Sequence, residues 1–149
     1  MTDLEDFSKG FLADWLKTLL DSMDKNLDEE TRLKIFKETG TFCAKAHATE
    51  LFKEIKTKTN DVKQLMSMLN EKLKGTTWEV VDDGKLKVTY ERCFCPIVGY
   101  GLHKSEVQCD CSIGWLKKNL EILFNKDVAV ELAESVLRGG SKCEFLIDF

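Results

Sequence analysis

Apolar residues in the first half of the chain recur at steps of three and four, the spacing of one face of an α-helix. A first helix is predicted between Leu4 and Met23, and we expect its apolar face to pack on the core. A second stripe runs from Leu33 to Leu51 and includes Gly40, whose place in a helix indicates a kink or the close approach of another backbone. A third stripe runs from Val62 to Leu73. The pattern predicts that residues 1–75 are mainly helical.

The second half of the chain changes to alternating apolar and polar residues, which is typical of strands. Two strands around Trp78–Val81 and Leu86–Tyr90 are predicted to form a hairpin at Asp83-Gly84. Two further strands are predicted near the C-terminus, and a helix over Ile113–Phe124 with Ser112 as N-cap lies between the strand pairs. We therefore expect one α+β domain over residues 1–149, with N-terminal helices packed on an antiparallel sheet of about four or five strands and one inserted helix.

Four of the six cysteines form two Cys-x-Cys pairs, Cys93-Phe94-Cys95 and Cys109-Asp110-Cys111. On a strand, residues two apart point to the same face, so two such pairs can supply four thiolates to one ion. This chemistry suits zinc first, and iron or an iron–sulfur cluster second. Two alternatives stay open, namely that these thiols are small buried apolar groups or that they oxidise across strands. Cys143 differs because it alternates with Phe145 and Ile147, as a core residue does.

A cysteine and a histidine on the second predicted helix extend this candidate site. Cys43 and His47 lie four residues apart on the second predicted helix and are expected to face inward together, although a buried histidine beside a buried cysteine is the commoner arrangement. The candidate metal ligands are these two residues together with the four cysteines of the Cys-x-Cys pairs: Cys43, His47, Cys93, Cys95, Cys109 and Cys111.

Cys111 is also a candidate nucleophile, because a helix N-terminus lowers the pKa of a thiol and the thiolate is the reactive form. Cys111 and His47 are therefore the candidate catalytic residues. The first-turn amides near Gly114 are open to a carboxylate, so Ser112, Gly114 and Trp115 are candidate ligand-binding residues. The alternative is an ordinary capped helix with an anchoring tryptophan.

Composition narrows the classes of function. The chain has 22 basic and 26 acidic residues and a formal charge of −4, with no basic run interleaved with aromatics, so a nucleic-acid partner is not expected. No apolar stretch approaches the roughly 18 residues of a membrane span, and the acidic start does not resemble a signal peptide. We expect a cytoplasmic protein, in which closely spaced cysteines are more often ligands or catalytic groups than disulfides.

Four segments carry a resemblance to a known family: Gly40–His47, Cys93–Pro96, Cys109–Trp115 and Glu131–Ile147. Together they resemble bacterial L-2-amino-thiazoline-4-carboxylic acid hydrolase-like proteins, and the last third is similar to the 4-vinyl reductase small-molecule-binding domain. The resemblance implies helices packed on an antiparallel sheet, a ligand pocket between them, and cysteine-mediated metal binding in some members.

These observations lead to two hypotheses of function. The first is a metal-binding, small-molecule-binding protein that hydrolyses a small cyclic amidine or sulfur-containing carboxylate with a metal-activated water. The second is a non-catalytic ligand or metal sensor. The expected partner is a small-molecule ligand rather than a nucleic acid or a membrane, and a homodimer stays open.

Overall fold

The computed structural model describes residues 3–102 and 105–149. Four helices come first in the chain. They are α1 (Asp3–Asn26), α2 (Glu29–His47), α3 (Thr49–Lys56) and α4 (Val62–Lys72).

The strands β1 (Thr76–Asp82) and β2 (Lys85–Tyr90) follow, and after them the short helix α5 (Pro96–Gly99). A 3-10 turn at Glu106–Gln108 leads into α6 (Cys109–Phe124), and β3 (Ala129–Glu134) and β4 (Cys143–Asp148) complete the chain. The predicted α+β fold, with N-terminal helices on an antiparallel sheet and a helix between strand pairs, is confirmed.

The starts of α2 and α4 are set by side-chain caps. The carboxylates of Asp28 and Asp61 accept hydrogen bonds from the amides of Thr31 and Gln64, at 2.9 and 2.8 Å. Each bond satisfies one of the amides that a helix start leaves without an intrahelical partner. The apolar stripe predicted to run as far as Leu51 is interrupted at Ala48, so α2 and α3 are separate helices.

The sheet has the order β1-β2-β4-β3, and all neighbouring strands are antiparallel. The predicted hairpin at Asp83-Gly84 is confirmed, and Gly84 has the positive φ of 68° that favours glycine. Along β2 and β4 the buried residues share one face, which α6 covers with Leu116 and Leu120. The paired positions on that face are Leu86 and Ile147, Val88 and Phe145, and Tyr90 and Cys143.

Two glycines allow α2 and α6 to approach closely. A Cβ atom built on Gly40 would lie 1.9 Å from the carbonyl oxygen of Cys111, and one built on Gly114 would lie 2.2 Å from that of Lys37. Neither space accommodates any side chain. The approach of another backbone is one of the two explanations predicted for Gly40, and it is confirmed.

The first helix does not pack as predicted. Leu20 is the buried residue of α1, whereas six large apolar side chains on the same helix are exposed. A periodic sequence shows which face of a helix is apolar but not which element covers it, and for this reason the predicted packing of α1 on the core is wrong. Within the described parts of the chain, no helix combines the length and apolarity needed to cross a bilayer.

Candidate functional site

A cavity of about 420 Å³ lies where α2, α6 and one end of the sheet meet. Trp78, Tyr90 and Phe145 contribute its sheet side, and Trp115 of α6 and Phe94 of the loop after β2 add two further aromatic rings. Trp115 is held by an edge contact with Phe52, with ring centroids 5.9 Å apart. The wall is therefore mainly apolar and aromatic.

All six cysteines line this cavity, although they come from four different parts of the fold. No disulfide joins any of them within residues 3–102 and 105–149. The elements that supply them are α2, the loop after β2, the first turn of α6 and the start of β4. The six residues are Cys43, Cys93, Cys95, Cys109, Cys111 and Cys143.

Cys143 is both a core residue of β4 and a residue of the cavity wall, whereas the sequence predicted only its place in the core. Its burial on the core face of β4 with Phe145 and Ile147 is confirmed. It also lines the cavity beside its cross-strand partner Tyr90, which the sequence analysis missed. The pairing of β2 with β4 brings these residues together, and nothing in either segment alone signals that pairing.

The predicted strand geometry of the Cys-x-Cys pairs is wrong. Strand β2 ends at Tyr90, so Cys93 and Cys95 lie in an irregular segment, and Cys95 is the N-cap of α5. Cys109 and Cys111 belong to α6, where residues two apart point in directions about 200° apart. Both pairs reach the cavity through the loop path and the helix position rather than through strand alternation.

The predicted start of the inserted helix is also wrong. Helix α6 begins at Cys109, directly after a 3-10 turn capped by Ser105, so Ser112 lies inside the helix rather than at its N-cap. Gly114 is the sixth residue of α6 and lies beyond the first turn, where the amides have no intrahelical partner. It packs against the Lys37 backbone rather than lining the cavity, whereas Ser112 and Trp115 do line it.

Burial changes the chemistry expected of Cys111. It raises the pKa of this thiol to about 12, and the negative charges that Cys95 and Asp110 can carry add to the effect. Burial also raises the pKa of Cys43 and of Cys109. The prediction that the helix N-terminus lowers the pKa of Cys111 is therefore wrong, because burial disfavours the charged thiolate. These three thiols are protonated at neutral pH.

The candidate metal ligands are near one another but differ in exposure. Cys43 is half-buried, whereas His47 is exposed at the end of α2, which corrects the prediction that both face inward. Among the residues that the structure describes, no group of three or more His, Cys, Asp or Glu residues is arranged to hold an ion. Zinc, and iron or an iron–sulfur cluster, stay predictions, and no chemical step is assigned to them.

Two buried polar side chains in the cavity wall were not predicted. Ser135 is 3% exposed, and its hydroxyl lies 2.9 Å from the Cys109 sulfur. Gln108 is 6% exposed, and its Oε1 accepts a hydrogen bond of 2.7 Å from the Ser105 amide. Its Nε2 is buried with no acceptor among the described residues. The capping-box spacing Ser105-x-x-Gln108 is the sequence signal that would have indicated a fixed position for Gln108.

An ion pair secures the start of α6. Arg138 donates to the buried carboxylate of Asp110 at 3.0 Å and to the carbonyl oxygen of Glu106 at 3.2 Å. These bonds join the β3–β4 connection to the turn that carries Gln108 and Cys109. They hold the polar part of the cavity wall in place.

Comparison with solved structures shows where this fold recurs. The chain is similar to the phenol-responsive sensory domain of the transcription activator PoxR with phenol, at 18% identity and a TM-score of 0.59, covering 92% of this chain and 73% of the other. It is also similar to a trafficking protein particle complex subunit 3 from Naegleria fowleri covalently bound to palmitic acid. That match has 14% identity and a TM-score of 0.52, and it covers 96% and 95% of the two chains.

A weaker structural match is a vinyl-4-reductase family protein from Methanocaldococcus jannaschii, at 15% identity and a TM-score of 0.43. It covers 93% of this chain and 78% of the other. A likeness at this level supports no conclusion, and the hydrolase-like family that the sequence resembles stays a prediction. Comparison with curated proteins gives no significant match. A family model does match residues 6–148. The chain therefore belongs to DUF6144, a family of unknown function.

Proposed function

We propose that this chain is a small-molecule-binding domain that holds an apolar ligand in the thiol-lined cavity. The observation that carries the proposal is a cavity of about 420 Å³ with aromatic walls to which all six cysteines contribute. This volume lies in the usual range of small-molecule sites, roughly 300–1,000 Å³.

The structural neighbours support a ligand of this kind. One was solved with phenol and the other covalently bound to palmitic acid, and both ligands have an apolar body. At 18% and 14% identity the likeness concerns the fold, so a ligand for this chain is part of the proposal.

The protonation state of the thiols favours binding over nucleophilic catalysis. A protonated, buried cysteine behaves as a small polarizable hydrophobe, which suits contact with an aromatic or aliphatic ligand. The high pKa of Cys111 leaves little thiolate at neutral pH. We therefore place the non-catalytic ligand sensor ahead of the hydrolase. Hydrolysis of a cyclic amidine or sulfur-containing carboxylate is a separate proposal that turnover by the purified protein would test.

Gln108 supplies a polar contact for the ligand. The bond from the Ser105 amide fixes Oε1, so Nε2 is the group without an acceptor among the described residues. A buried donor of this kind costs about 1–3 kcal/mol, which a ligand oxygen would recover. We propose that the ligand combines an apolar body with one oxygen acceptor, which reaches Nε2 when the ligand displaces the side chains that cover this atom.

A dye with these two features tests the proposal. The fluorescence of 8-anilinonaphthalene-1-sulfonate, which has an aromatic body and a sulfonate, reports its transfer into an apolar site. The variant Cys43→Phe fills the cavity from α2 and is expected to weaken dye affinity at least about tenfold, a loss of roughly 1.4 kcal/mol. The matched control is Ala46→Phe, which adds the same side chain at an exposed position of α2. Equal dye affinity in both variants would refute binding in this cavity.

A second pair of variants tests the polar contact. Gln108→Glu keeps the oxygen that caps Ser105 but replaces the amide donor, and it is expected to weaken sulfonate binding by about tenfold or more. Gln64→Glu, at an exposed position of α4, is the control for the added charge. If Gln108→Glu binds the dye as well as Gln64→Glu does, Gln108 does not contact the ligand.

A further inference from the structure

One face of α1 carries large apolar side chains that the rest of the chain leaves exposed. Their exposed fractions lie between 41% and 72%, and we call this set the α1 stripe. It consists of Leu4, Phe7, Phe11, Leu12, Trp15 and Leu19. Large apolar side chains that form one contiguous exposed patch mark an interaction site.

The stripe is not the side of α1 that packs on the protein. At 100° per residue, the less exposed Leu16 and Leu20 lie about 110° and 150° around the helix from the centre of the stripe. No charged residue between positions 4 and 19 falls within the arc of the stripe. Helix α1 therefore has two apolar sides, one against the protein and one facing outward.

We infer that the α1 stripe is the contact surface for a second copy of this chain. The six side chains expose on the order of 600 Å² per chain, if a fully exposed aromatic side chain is taken as about 150–250 Å² and leucine as somewhat less. Complete burial of two stripes would remove at most about 1,200 Å² from water, which is the lower bound of standard stable interfaces.

The length and symmetry of the stripe fit self-association. From Leu4 to Leu19 it extends about 22 Å, at 1.5 Å per residue. Two such helices placed antiparallel around a two-fold axis put the same apolar surface on both sides, as an isologous interface requires. The acidic residues Asp3, Glu5 and Asp14 border the stripe at the rim, where interfaces tolerate charge.

The negative charge of the first half of α1 argues against a membrane surface as the partner of the α1 stripe. Residues 3–14 contain four acidic residues and one lysine, whereas helices that lie on membranes carry lysine and arginine on their polar face. An anionic lipid surface would repel this part of α1. The stripe residues do not line the cavity, so the self-association of α1 and the binding of a ligand are independent of each other.

Sedimentation equilibrium of the full chain tests the inference. At about 100 µM the wild-type protein is expected to have twice its chain mass of 17.0 kDa. Phe11→Glu and Phe7→Glu each place a charge within the stripe and should each raise the dissociation constant by roughly thirtyfold or more. Gly10→Glu adds the same charge to the same helix at a position with open space around it, and the dimer should persist.

The structure of each variant is checked by its circular dichroism and melting temperature, since Phe7 and Phe11 are mostly exposed and contribute little to the core of one chain. Three results would overturn the inference. The first is a wild-type monomer at about 100 µM. The second is a dimer that both phenylalanine variants retain. The third is binding of the wild-type monomer to vesicles of phosphatidylcholine and phosphatidylglycerol that Phe11→Glu abolishes.

Discussion

The contact between α2 and α6 predicts that Gly40→Ala is destabilising, although alanine is the better helix former. The new Cβ would lie 1.9 Å from the Cys111 carbonyl oxygen and 2.9 Å from the amide nitrogen of Trp115. Real Cβ contacts are essentially never shorter than 3.0 Å. Because both atoms belong to the backbone of a helix, no side-chain rotation relieves the contact. The two helices must separate.

The size of the effect follows from two opposing terms. Alanine in place of an interior helical glycine stabilises by about 1 kcal/mol. Overpacking of a tight contact costs about 1–3 kcal/mol, and occasionally more, and a contact with a rigid backbone belongs at the upper end. We expect the free energy of unfolding to fall by about 1–2 kcal/mol. Separation of the helices also moves Cys43 away from Cys111, so dye affinity should fall.

Urea unfolding, followed by circular dichroism, measures this change. Gly10→Ala is the matched control, because Gly10 also lies in a helix but a Cβ there meets nothing within 4 Å. It should stabilise the protein by about 0.5–1 kcal/mol. If Gly40→Ala also stabilises the protein and leaves dye affinity unchanged, the close approach of α2 and α6 is refuted.

Two further predictions concern the thiols. Cys111 should react slowly with iodoacetamide at neutral pH in the folded protein. Burial raises the pKa of Cys111 from 9.0 to about 12, so the unfolded chain loses this proton at a lower pH than the folded protein. The stability that the buried neutral thiol contributes should therefore be complete below about pH 9 and lost as pH rises towards 12. Alkylation as fast in the folded chain as in urea would contradict this. We also predict that Cys143→Ala costs about 1 kcal/mol of stability, because it removes a buried side chain from the core face of β4 and leaves a small cavity. Urea unfolding measures this loss, and an unchanged free energy of unfolding would show that Cys143 does not pack in the core.

Local signals in the sequence were sufficient for much of the fold. Asp28 and Asp61 cap the helices that follow them, and Asp83-Gly84 forms the hairpin, because each of these contacts is made within a few residues of chain. The alternation of Cys143, Phe145 and Ile147 predicted the buried face of β4 for the same reason, since strand geometry repeats every two residues. For Gly40 the sequence offered two explanations, a kink or the close approach of another backbone, and the packing of α6 shows that the second holds.

The candidate site depended on contacts between distant segments, and there the predictions were incomplete. The capping box at Ser105 starts the helical turn early and so places Cys109 and Cys111 on a helix instead of a strand. The pKa of Cys111 is set by the segments that cover it, which sequence spacing does not reveal.

The convergence of all six cysteines on one cavity requires the pairing of β2 with β4 and the crossing of α2 and α6. The sequence by itself determined which residues form helices and strands and which of their faces are apolar, because those properties are local. Tertiary structure alone decided which thiols share a cavity and which apolar face stays uncovered, because both depend on which segments meet in space.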